Sequence, residues 1–240
     1  MDHSHQSKTA ILIFANSSKE EVKHKRIAND QKLFDTLTSL TIKTAEKSRL
    51  PYFHYSEKEQ IGCSFGERFT NAIQAVFEKG FDNVITIGND TPKLKAAHLI
   101  EANGQLQKNK FVIGPSLDGG FYLMGINKKQ FNAKMLLNLP WQRSNLSKLL
   151  LDSMASNHGN EVSFLPTLLD LDAARDIKKL WDYVFLLPKE LLTIFLLLLY
   201  FIPVYGKLVL LFFLDSSPAI FFNKGSPVLQ SQKFKKINLL

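Results

Sequence analysis

Short apolar runs separated by stretches of helical spacing constrain this chain more than any other feature. TAILIFA (9–15), VITIG (84–88) and FVIG (111–114) are of strand length and largely apolar, the pattern of strands buried on both faces. PYFHY (51–55), GFYLMGI (120–126) and EVSFL (161–165) read as further strands. Between them, Leu33, Phe34, Leu37, Leu40 and Ala45 fall at helical spacing within 29–47. Phe65, Phe69, Ile73 and Phe77 form one stripe, opened by an S-x-x-E capping box at Ser64 and Glu67 and closed by Lys79 and Gly80. Thr91 is expected to cap a helix over 92–107 with Pro92 in its first position, and 145–155 and 173–187 complete the helices. Strands alternating with helices require a mostly parallel sheet covered on both faces, a Rossmann-like three-layer α/β sandwich.

In open parallel sheets, ligands bind beyond the carboxyl ends of the strands. Asp90 stands just past one such end, in VITIGNDTP (84–92), where a carboxylate can hold a hard cation on a diphosphate or simply cap the next helix. IGPSLDGGFYLMG (113–125) places Asp118 after another apolar strand, followed by Gly119 and Gly120. That pattern fits a ligand approached closely by backbone, and equally a hairpin turn. DLDAARDI (170–177) adds Asp170, Asp172 and Asp176, of which Asp172 either caps the last helix or reaches a metal from the far side.

Together and in order, GERFTNAIQAVFEKGFDNVITIGNDTPKL, GPSLDGGFYLMG, LPW and DLDAARDI resemble the bacterial domain-of-unknown-function family 2064. That family is of the glycosyltransferase-A type and similar to the guanylyltransferases of deazaflavin-cofactor synthesis. The resemblance covers roughly residues 9–182. It implies a nucleotide-diphospho-sugar transferase fold and transfer of a glycosyl or nucleotidyl group from a nucleotide-diphosphate sugar or nucleoside triphosphate. It also implies a divalent metal, Mg²⁺ or Mn²⁺, near Asp90, with Asp172 as second carboxylate. By the same comparison Gly66, Glu67, Arg68 and Asn89 line the nucleotide side, Gly119 and Gly120 meet the acceptor or sugar, and Trp141 borders the pocket. Asp118 is expected to orient or partly deprotonate the acceptor hydroxyl.

The chain departs from the family in its first loop. Where the family has a glycine-containing basic loop of the form P-G-x-V-K-T-R-L, this chain has NSSKEEVKHKRI (16–27), without glycine or proline. Lys23, Lys25 and Arg26 keep the positive charge for phosphates. The lost glycine leaves open a second class of function, a non-catalytic nucleotide-sugar-binding or membrane scaffold protein.

Charge and apolarity separate a tail from the rest. Of the net charge of +8, most falls after residue 177, where eight lysines face Asp182, Glu190 and Asp215. A nucleic-acid face on the main domain is therefore not expected. The reading gives a transferase-like domain over 1–182 and a hydrophobic, basic, helical tail over 183–240. Residues 191–214 carry one charge, Lys207, but Pro203 and Gly206 interrupt them. A kinked membrane span, short helices in the membrane interface within 184–214, and an apolar arm packing on the domain or on a twin subunit all remain open. Cys63 is the only cysteine, which rules out an intramolecular disulfide, and the first eight residues are polar. A cytoplasmic location is expected, at the inner membrane face if the tail binds lipid.

Overall fold

The computed structural model describes residues 7–25, 27, 31–141, 143–155, 161–180 and 187–200. Six strands form one sheet: β1 (Thr9–Phe14), β2 (Tyr52–Tyr55), β3 (Asn83–Ile87), β4 (Phe111–Pro115), β5 (Phe121–Asn127) and β6 (Val162–Phe164), in the order β2-β1-β3-β5-β4-β6. All run parallel except β5, which pairs antiparallel with both β3 and β4. The helices are α1 (Ser18–His24), α2 (Gln31–Ser48), α3 (Phe65–Glu78), α4 (Ala96–Leu106), α5 (Ala133–Leu137), α6 (Leu146–Ala155), α7 (Ala174–Leu180) and α8 (Lys189–Tyr200).

Strand alternation sorts the core into two layers. Ala10, Leu12, Val84, Phe111, Ile113, Met124 and Ile126 pack with α3, α5 and α6 through residues such as Ile73, Leu136 and Leu150. Their neighbours Ile11, Ile13, Ile85, Ile87, Val112 and Leu123 pack on the other side with Ala45 of α2 and Leu99, Ala102 and Leu106 of α4. Helices cover both faces, and the fold is the mostly parallel three-layer α/β sandwich expected. A buried polar ladder pins the register at the far end from the strand carboxyl termini. Asn127 Nδ2 donates to Asn83 Oδ1 at 2.7 Å, and Asn83 Nδ2 donates to Thr9 Oγ1 at 3.2 Å. A one-residue slip would separate these groups and leave buried amides unpaired, so the ladder specifies the pairing.

Two local readings change. Helix α4 starts at Ala96, not at Pro92, and the Thr91 hydroxyl donates to Asp170 Oδ1 at 2.6 Å instead of accepting from a helix N–H. The 16–27 segment contains a helix, α1, with Glu20 and Glu21 in its first turn and Lys23 and His24 in its last, as the helix dipole favours. The last helix of the domain, read over 173–187, is present as α7 over 174–180, and 181–186 lie outside the described residues. The S-x-x-E capping box at Ser64 and Glu67 is formed as read, and Gly80 follows α3 with φ +90°.

The chain divides into two units, 1–195 and 196–240. The described part of the tail is helical, as α8, with Leu191, Ile194 and Phe195 buried. Among the described residues, no helix is long and apolar enough to cross a membrane. The apolar stretch 201–214 lies outside the described residues.

Candidate active site

The carboxyl ends of β1, β3, β4 and β6 open onto one cavity of about 850 Å³, lined by residues 14–25, 60–69, 86–90, 118–122, 141–146 and 170–172 in part. Asp90, Asp118, Asp170 and Asp172 all line it, although they come from three separate segments. Asp90 follows β3, Asp118 stands in the β4–β5 connection, and Asp170 and Asp172 precede α7. The backbone ties these segments together: Leu171 N–H donates to Asp90 O at 2.8 Å, and Leu117 N–H donates to Leu168 O at 3.1 Å.

Lys25 sits at the centre of the acidic rim. As the C-cap of α1 it has extended backbone, and its N–H donates to Glu21 O. Its Nζ lies 2.5 Å from Asp90 Oδ2, 3.1 Å from Asp172 Oδ1 and 3.3 Å from Leu171 O, with the side chain 14% exposed. Burial works against the ammonium charge, but Asp90, Asp172 and Glu21 outweigh it and hold Lys25 above the ordinary lysine range. Burial raises the Asp172 carboxyl; Lys25 opposes that rise, and Asp90 and Asp118 add to it.

Asp170 is held on both of its oxygens. Its Oδ1 accepts from Thr91 Oγ1 at 2.6 Å and its Oδ2 accepts from Ser116 Oγ. Burial, reinforced by the nearby Asp90 and only partly offset by these hydroxyls, pushes its carboxyl up to about 7. Asp170 clamps the ends of β3 and β4 together from the loop after β6. Asp118, in contrast, is exposed, and its Oδ1 accepts from Gly120 N–H at 2.9 Å. Gly119, with φ +91°, passes so near the 144 backbone that a Cβ there would meet Ser144 O at 1.7 Å. The hairpin and the cavity-lining aspartate therefore coexist: the Asp-Gly turn is what brings Asp118 to the rim.

The opposite wall is aromatic. Phe14, Phe65, Phe69, Phe121 and Trp141 line it, with Trp141 5.0 Å from both Phe65 and Phe69 between ring centroids. Trp141 Nε1 donates to Leu136 O at 2.9 Å, and Gly66 makes room for the indole, since a Cβ there would come within 2.7 Å of Nε1. Arg68 lines the cavity from α3, and its Nε is buried with no hydrogen-bond partner among the described residues.

Of the residues expected at the site, Lys25, Arg68, Asn89, Asp90, Asp118, Gly120, Trp141 and Asp172 line the cavity. Asn89 also anchors α2, its Nδ2 donating to Thr38 Oγ1 at 2.9 Å. Four others are placed elsewhere. Lys23 is exposed and pairs with Glu20 at 2.6 Å, one helical turn away, so it does not join the lining. Glu67 spends its carboxylate on the N–H groups of Cys63 and Ser64, at 2.6 and 3.2 Å, capping α3. Gly66 lies beneath Trp141 and Gly119 beneath Ser144, each shaping the wall without lining it. Arg26 lies outside the described residues. Sequence reasoning missed the aromatic wall and the central role of Asp170. Phe65 and Phe69 carried a signal in their i,i+4 spacing next to a strand end, but read as ordinary core.

The acidic rim also suits a divalent cation. Three oxygens, from Asp90, Asp172 and the Leu171 carbonyl, converge on one cationic point, now the Lys25 ammonium. Among the described residues, no group of three or more His, Cys, Asp or Glu side chains could hold a metal ion unaided. Mg²⁺ is commonly held by one or two carboxylates with substrate phosphates supplying further ligands, which this pair fits.

Fold and site together define a three-layer α/β protein with an acidic cavity at the carboxyl ends of its parallel strands. Residues 38–143 match the family described as "Uncharacterized protein conserved in bacteria (DUF2064)", which shows the family resemblance carried by the motifs. The basic segment 16–27 and the 170–177 run lie outside that match. The structure is similar to a candidate nucleotide-diphospho-sugar transferase from Desulfovibrio desulfuricans G20, at 23% identity and a TM-score of 0.59, over 75% of this chain and 86% of that one. It is also similar to 4-diphosphocytidyl-2C-methyl-D-erythritol synthase from Anaerococcus prevotii DSM 20548, at 12% identity and a TM-score of 0.50, over 75% and 99% of the two chains. At these identities the likeness is one of fold. No curated protein matches the chain.

Proposed function

We propose that the protein is a metal-dependent transferase of the glycosyltransferase-A type that moves a glycosyl or nucleotidyl group from a nucleotide-diphosphate donor. The observation carrying this reading is the convergence of Asp90, Asp118, Asp170 and Asp172 with Lys25 and Arg68 on one cavity at the strand carboxyl ends. Mg²⁺ or Mn²⁺ bound by Asp90 and Asp172 would neutralise the diphosphate and the charge that develops on the leaving group. Arg68, whose buried Nε has no hydrogen-bond partner among the described residues, is available to a donor anion, because a buried donor left unpaired gains most from a phosphate or carboxylate. The aromatic wall offers faces on which a base or an apolar acceptor stacks.

Asp118 is the group placed to orient the acceptor, since it is exposed, lines the cavity and commits only one oxygen within its own turn. In a glycosyl transfer, the acceptor oxygen bonds to the anomeric carbon as that carbon's bond to the diphosphate oxygen breaks. The nucleoside diphosphate leaves with the electron pair, and the hydroxyl proton passes to Asp118 or to water. Asp170, with one hydroxyl donor on each oxygen, positions the rim rather than touching substrate.

One observation favours a binding protein without turnover: the segment that is a glycine loop in the family is here glycine-free and includes the helix α1. A thermal-shift screen of nucleoside diphosphates and their sugars, with and without Mn²⁺, followed by assay of nucleotide release with acceptors, separates the two. Stabilisation by a metal–nucleotide pair with subsequent release supports the transferase; stabilisation without release supports the binding protein; stabilisation by none removes both.

A further inference from the structure

The ammonium of Lys25 is saturated. A lysine carries three donor hydrogens, and Nζ has three oxygens within reach, on Asp90, Asp172 and Leu171. Nothing is left for a phosphate while these contacts hold. The same three oxygens are the hard donors that a divalent cation would take, so the lysine and the metal claim one position. Two cations within hydrogen-bond distance of the same carboxylates repel and exclude each other. The occupant is also built in: Lys25 leaves the end of α1 directly into the cavity, beneath little solvent, whereas Lys23, two residues earlier, turns outward to Glu20.

We propose that Lys25 is the resident counter-ion of the Asp90–Asp172 pair, and that a divalent cation loads only together with a diphosphate that draws Lys25 onto its own oxygens. This rests on the reading of the cavity as a diphosphate site, but its first half concerns the protein and the cation alone. The empty pocket then has low affinity for free Mn²⁺, because binding must displace a paired and partly buried ammonium. The diphosphate lifts that competition by offering Lys25 new oxygens while adding ligands to the metal. Metal and donor binding are thereby coupled, and the carboxylate pair keeps a counter-charge when no metal is bound.

The test measures Mn²⁺ binding to the full chain by loss of the free-ion electron paramagnetic resonance signal, with no nucleotide present. The wild type is compared with Lys25→Met, Lys25→Gln and Lys25→Arg, each checked for folding by circular dichroism. Removing the charge in either neutral variant is expected to tighten Mn²⁺ binding by about tenfold, a middling coupling between two ligands, while Lys25→Arg stays near the wild type. Equal Mn²⁺ affinity in the wild type and the neutral variants, or no binding to any of them, overturns the proposal. Tight Mn²⁺ binding by the wild type alone also overturns it, which keeps the test decisive if both neutral variants fail to fold. A diphosphate screen that fails while these Mn²⁺ results hold would remove the transferase reading and leave the lysine–metal competition standing.

Discussion

Gly119→Ala tests the claim that the β4–β5 turn is held against the start of α6 to aim Asp118 at the cavity. The new methyl would lie 1.7 Å from Ser144 O, 2.7 Å from its carbonyl carbon and 3.2 Å from its Cα. An ordinary C···O contact is ~3.4 Å, so the backbone at 144 must retreat by well over an ångström. Two contacts fail with that retreat, Ser147 N–H to Gly119 O at 3.2 Å and Ser147 Oγ to Gly120 O. At about 1 kcal/mol for each hydrogen bond, with ~1–2 kcal/mol for an L-residue held at positive φ, the loss is about 3–4 kcal/mol. Gly80 supplies the control, with φ +90° and nothing within 4 Å of its added Cβ. Gly80→Ala should therefore lose only the conformational part, about 1–2 kcal/mol. At roughly 2–4 °C per kcal/mol for a chain of this size, calorimetry should show Gly119→Ala melting several degrees below Gly80→Ala. Equal melting shifts for the two would show that the turn is not braced by residue 144, and the placement of Asp118 would lose its support.

Further perturbations probe other parts of the account. Trp141→Ala removes a half-buried indole from Phe65, Phe69 and Phe121; urea unfolding should show a loss of about 2–3 kcal/mol, below the range for fully buried aromatics. Burial, with Asp90 adding and Lys25 opposing, raises the Glu21 carboxyl above the ordinary glutamate value of 4.5, so the folded chain holds this proton to higher pH than the unfolded chain. Its contribution is full below pH 4.5 and is lost as pH rises through the folded value, so Glu21→Gln should flatten that part of the stability–pH profile measured by thermal melts. An unchanged profile would contradict the buried placement of Glu21. Sedimentation with anionic vesicles should retain the full chain but not residues 1–195, because the apolar stretch and most of the tail's lysines lie after that point; equal partitioning would remove the membrane reading.

The legible part of this protein was the part written locally. Strand-length apolar runs and the Ser64–Glu67 box gave the sandwich and α3, since burial and capping act within a few residues. Asp90, Asp118 and Asp172 were legible as site candidates because a charged residue just past a buried strand falls on the sheet's carboxyl rim. What escaped depends on distant partners. Thr91 and Pro92 look like a helix start, yet the Thr91 hydroxyl goes to Asp170, 79 residues away. Ser17 precedes α1, yet its hydroxyl donates to Glu57 at 2.8 Å instead of capping. Lys23 and Lys25 were indistinguishable as two lysines of one basic segment, and only the direction in which α1 ends decides that Lys25 enters the cavity. Glu67 carried a single signal with two meanings, and the cap took the carboxylate.

Calorimetric titration of nucleoside diphosphates into the wild type and Asp90→Ala, with and without Mn²⁺, bears most directly on the central claim. The account predicts binding to the wild type that depends on Mn²⁺ and is abolished in the variant. Metal-dependent binding that is the same in both proteins would contradict it.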